Sequence, residues 1–150
     1  MSRVCLIATL LFLVVPAAAP QEAGKPSSDR ARVIVYRNKQ ESGRTLHPSI
    51  YCDDIEVARL QGERYAVLAL APGPHMFRSD DKQSLIELDV EAGKEYYIRI
   101  DTEIGTLKNR GRLTLVDADQ GASELKPMKP ISAEMVKHKA WLASDFHPAK

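Results

Sequence analysis

The residues best suited by type and spacing to bind something lie between positions 97 and 112. Lys108, Arg110 and Arg112 put three cations around Gly111. Guanidinium forks match planar oxyanions, so such a loop suits an anionic glycan, a lipid headgroup or a phosphate. Just upstream, Tyr97 and Arg99 alternate along an apolar run and share one side of it. An aromatic face and a guanidinium suit sugar rings and anionic groups. The candidate ligand-binding set is therefore Tyr97, Arg99, Lys108, Arg110 and Arg112. Plainer readings stand beside it: a charged loop tip that keeps the protein soluble, and a Tyr97 that packs beneath a helix.

Motifs for catalysis or metal binding are missing from the sequence. His47, His75, His138 and His147 are scattered, without the paired spacing that zinc sites show. No nucleophile motif of the G-x-S-x-G kind is present. Asp117, Asp119 and Gly121 echo a calcium loop, but its third acidic position and distal Glu are lacking. A turn closed by an Asp side chain is the simpler account of that segment, and of Asp53-Asp54 and Asp80-Asp81. The expectation is a protein with no catalytic residues, no cofactor and no metal site, hence no enzyme.

Charge and hydropathy set the surroundings of these residues. The chain carries a formal net charge of +1, with 27% charged and 44% apolar residues. Residues 1–17 contain Arg3 as their one charge and an almost unbroken apolar run from Val4 to Val15. Pro16 and three alanines follow, completing the three-part layout of a signal peptide. Twelve apolar residues span about 18 Å of helix, short of the roughly 30 Å hydrocarbon core. Cleavage near Ala17 would leave a neutral, secreted or periplasmic chain with no transmembrane segment. Without a basic face it would not bind nucleic acid. Cys5 would leave with the peptide, and Cys52 within a strand-like run is then expected to be buried.

Residues 18–30 read as a polar leader, and residues 31–126 as a run of short strands separated by turns. Arg32–Arg37 and Arg64–Leu70 are apolar on both faces, as central strands are. Asp53-Asp54 reads as a tight hairpin turn. Ile86, Leu88 and Val90 alternate with acidic residues, and Tyr96, Ile98 and Ile100 alternate with Tyr97 and Arg99. Leu113 and Leu115 face inward on the last strand. No two runs are far enough apart for a helical crossover. The fold class is mainly β: an antiparallel β-sandwich of about seven strands with a short C-terminal amphipathic helix. That helix is placed at about 132–143 in an extension covering 127–150, with Ser132 as N-cap. Its stripe of Ile131, Met135, His138 and Leu142 would cover a sheet edge or face.

Several segments together resemble a known family, domain of unknown function 2846, found in exported bacterial proteins. They are Ala31–Arg37, Pro48–Asp54, Val57–Leu60, Tyr65, Ala71–His75, Leu88–Arg99, Gly111–Leu113 and Gly121–Leu125. The Pro-Gly-x-His segment ending at His75 is also similar to PEGA-type and carboxypeptidase-regulatory-like sandwiches. The resemblance implies a sandwich and an exported location; it implies no activity and carries over no catalytic residue. The function expected from the whole is a secreted, non-catalytic binding or scaffolding domain of the bacterial cell envelope. Its partner would be an envelope protein or an anionic glycan. The alternatives are an accessory subunit docking through its C-terminal helix or an edge strand, and a small secreted hydrolase.

Overall fold

The computed structural model describes residues 29–39, 46–80, 84–103 and 110–147, with Arg110 described by its backbone alone. The proposed signal peptide and Lys108 lie outside the described residues. Eight strands form on the apolar runs: β1 Ala31–Arg37, β2 Ser49–Cys52, β3 Ile55–Arg59, β4 Arg64–Leu70, β5 Gly73–Arg78, β6 Leu85–Val90, β7 Glu95–Glu103 and β8 Arg110–Val116. A helix, α1 (Ala118–Leu125), and a two-residue strand, β9 (Lys129–Pro130), complete the regular elements. One sheet has the order β8-β7-β1-β4-β9 and the other β3-β2-β5-β6.

Period-2 alternation sends one face of each sheet into a shared core. Val33, Val35, Ile98 and Ile100 from the first sheet meet Ile50, Cys52, Val57, Phe77 and Val90 from the second. Each buried side chain of this size contributes about 1.5–3 kcal/mol. The protein is thus the expected mainly-β sandwich. Asp53 and Asp54, with φ of 48° and 64°, form the expected hairpin turn in the left-handed region that primed turns require.

Four features differ from expectation. Five strand pairs are antiparallel, but β1 pairs with β7 in parallel and β4 with β9 likewise. Parallel neighbours arise here without a helical crossover, because the chain visits the other sheet between β1 and β7. Leu115 is half exposed while Leu113 is buried, since β8 is the edge strand of the wider sheet. The helix lies at 118–125 rather than 132–143. Asp117 caps it by accepting from the Gln120 N–H at 3.0 Å, a use of its carboxylate that replaces the calcium-loop reading.

Residues 129–143 form a strap instead of the expected helix, with two short 3-10 turns at Ala133–Met135 and Lys139–Trp141. Ser132 precedes the first turn but makes no side-chain cap. The sheet edges explain the change, because their carbonyls need donors that a helix would keep for itself. Ile131 N–H donates to Tyr65, Lys137 and His138 N–H groups donate to Val57, and Ala143 N–H donates to Val67. The strap therefore laces β4 to β3 and back to β4. Ile131, Met135 and Leu142 still pack on the core, so the apolar stripe was sound although its periodicity misled.

Candidate functional site

The outward face of β7, β1 and β4 carries rows of side chains fixed by strand register. Ala69, Arg32 and Glu95 form one row; Val67, Ile34 and Tyr97 the next; Tyr65, Tyr36 and Arg99 the third. α1 covers one side of this face and residues 143–147 cover the other. Between them lies a groove of about 340 Å³ with Ile34 and Val67 at its base. Tyr65, Tyr97, Leu125 and Phe146 line its sides. Tyr65 and Phe146 meet edge to face, with ring centroids 6.3 Å apart.

At the mouth of the groove one cation lies between two carboxylates, a net charge of −1. Arg32 reaches Asp145 at 2.9 Å and Glu95 at 3.3 Å. Glu95 also accepts from the Tyr97 hydroxyl at 3.1 Å. Burial, and then the charge of Glu95, push the Tyr97 hydroxyl above the usual tyrosine range, so it remains a donor. His147 closes the mouth, its Nδ1 2.9 Å from the Asp145 carbonyl. The chemistry offered is a short aromatic cleft with a polar mouth of net negative charge. Among its described residues no pair is arranged as nucleophile and base.

The five candidate residues are dispersed. Tyr97 lines the groove and is 8% exposed, because α1 packs on its ring. Arg99 is on the same face but is held by Asp101 at 3.0 Å and Glu124 at 3.2 Å. Arg112 is exposed beside Glu103 at 3.0 Å. Arg110 contributes backbone to β8, and Lys108 lies outside the described residues. The structure thus brings Tyr97 to the groove and gives Arg99 and Arg112 acidic partners.

Sequence reasoning missed Arg32, Tyr65, Glu95 and Phe146. The first three were legible in principle, as outward positions on central strands. Phe146 was not, since nothing local shows that the end of the strap folds over a sheet face. A second cluster was missed as well. The β2–β5 pairing draws Cys52, Asp53 and His75 together, with one ligand atom from each within 4.8 Å of the others. Cys52 is buried, as expected, and burial followed by the Asp53 charge pushes its thiol well above the usual range.

No helix among the described residues is long and apolar enough to cross a membrane. Neither the curated proteins nor the solved structures compared with the chain gave a significant match. A family profile does match, over residues 27–111, taking in β1 to β7 and the start of β8. Since that is more than half of the chain, the protein belongs to the family described as protein of unknown function (DUF2846).

Proposed function

We propose that the protein is an exported, non-catalytic binding domain of the bacterial cell envelope, with its ligand seated in the groove over β7, β1 and β4. The observation that carries this reading is the aromatic cleft itself, with its apolar base and fixed polar mouth. At about 340 Å³ it falls at the lower end of small-molecule sites, roughly 300–1,000 Å³. The net negative mouth, Arg32 against Glu95 and Asp145, favours a neutral ring or a short peptide over an anion. An anionic glycan would have to compete with Glu103 for Arg112, and with Asp101 and Glu124 for Arg99. Export rests on the layout of residues 1–17.

The test is a heteronuclear NMR titration of the chain from Ala18 onward with soluble envelope glycan fragments and short peptides. Shifts should cluster at Ile34, Val67 and Tyr97. Truncating Phe146 to Ala should weaken binding about tenfold or more, the loss of one well-packed aromatic contact. Shifts confined to the 110–112 segment, or none with any member of either class, would refute the groove reading.

A further inference from the structure

A different part of the molecule, the end of the second sheet, carries a chemistry that the groove does not use. Cys52 closes β2, Asp53 begins the hairpin turn and His75 lies on β5, two residues before the core residue Phe77. Cys52 pairs with Phe77 across the strands, and Asp53 N–H donates to the Met76 carbonyl at 2.9 Å. These backbone ties hold a sulfur, a carboxylate oxygen and an imidazole nitrogen within 4.8 Å of one another.

The hydrogen bonds of this cluster converge on one carboxylate. His75 Nε2 lies 2.9 Å from the Ala71 carbonyl, and its Nδ1 lies 2.7 Å from Asp53 Oδ2. The Met76 N–H donates to the other carboxylate oxygen, Asp53 Oδ1, at 2.9 Å. The Ala71 carbonyl and the turn thus fix the ring so that Nδ1 faces Asp53, on the side where the Cys52 sulfur also lies.

We propose that Cys52, Asp53 and His75 form a mononuclear site for a divalent transition-metal ion of the zinc class. The donor set of thiolate, carboxylate and imidazole is that of borderline-soft cations rather than calcium or magnesium. The Nε2–H bond to Ala71 is the outer-sphere bond that metal-bound histidines make, fixing the tautomer that leaves Nδ1 for the ion. Bonds of about 2.0–2.3 Å set ligand atoms about 3–4 Å apart, so the atoms now as much as 4.8 Å apart must draw together while Nδ1 and Oδ2, at 2.7 Å, must part. The Asp53 side chain, on an exposed turn, can supply that movement. Its side chain is 39% exposed and that of His75 15%, so a fourth coordination position faces solvent.

Cobalt chloride, added to reduced, tag-free protein from Ala18 onward, reports the site directly. One equivalent should bind per chain and give the near-ultraviolet charge-transfer band of a thiolate–cobalt bond, which one equivalent of zinc should bleach. Cys52→Ser should abolish the band, and His75→Gln should weaken binding at least ~100-fold, beyond what losing an outer-sphere partner costs. Circular dichroism identifies any variant that fails to fold. If Cys52→Ser is such a variant, His75→Gln and Asp53→Asn decide the matter by affinity. Absence of the band in the unaltered protein overturns the proposal. So does cobalt affinity that is unchanged in the folded His75→Gln variant.

Discussion

Glu124 gathers more polar partners than any groove residue, and its chemistry is structural. Its carboxylate accepts from the Tyr36 hydroxyl at 2.8 Å, Asn38 at 3.0 Å and Gln120 at 2.7 Å, and pairs with Arg99 at 3.2 Å. Burial works against its charge, but these hydrogen bonds and the Arg99 cation outweigh it and hold the carboxyl below the usual range. A carboxyl depressed on folding contributes stability above its unfolded value, about 4.3, and loses it as pH falls through the folded value. Glu124→Gln should therefore cost about 1.5 kcal/mol at pH 7, a deficit that shrinks below about pH 4. Thermal melts of both proteins between pH 3 and pH 7 would check this; a deficit independent of pH would contradict it. The sequence disclosed the outward direction of Arg99 but not its partner. That partner is supplied by a helix whose position had not been read.

α1 shows how an element can be overlooked when its signals admit another meaning. Asp117 followed by Gln120 has the spacing of a helix N-cap and its third helical residue. Gly121, a poor helix former, pointed to an Asp-closed turn instead. The structure shows why glycine is there: a β-carbon at position 121 would lie 2.4 Å from Tyr97 Cγ. Gly121→Ala should gain about 1 kcal/mol of helix propensity and still lose about 2 kcal/mol overall, because the ring beneath is fixed by its neighbours. Urea unfolding would measure it, and a stabilised variant would show that α1 sits loosely on the sheet. The strap errs in the opposite direction. Ile131, Met135 and Leu142 have helical spacing and do pack on the core, Ile131 buried and the other two partly so, yet the sheet edges needed backbone partners more than the segment needed a helix. The β-strands were legible because alternation is local, whereas the parallel β1–β7 pair depends on a route between sheets that no local pattern records.

At the scale of the molecule, residues beyond the family match at Gly111 are not an appendage. They close the sandwich edge and build both sides of the groove, through Leu125 on one and Phe146 on the other. A chain ending at Lys126 would leave the strap-paired parts of β3 and β4 without partners and uncover the core at the site of Ile131, which is fully buried. Unprotected strand edges invite association between chains. Such a chain should aggregate on gel filtration, and in the full chain the strap amides of Ile131, Lys137, His138 and Ala143, which donate to β3 and β4, should exchange slowly. A monomeric truncated chain, or rapid exchange at those four amides, would show that the strap is dispensable.

The lacing of β4 to β3 and back also sets an order in time. During synthesis, residues 129–143 leave the ribosome after all the strands they join. The parallel pair ties Arg32 to Glu95 across most of the family region, and pairings of such long sequence separation form slowly. Until both events are complete, the emerging polypeptide is an open sheet without its seal. A chain that delays its own closure would stay open to proteases until residues 129–143 had docked.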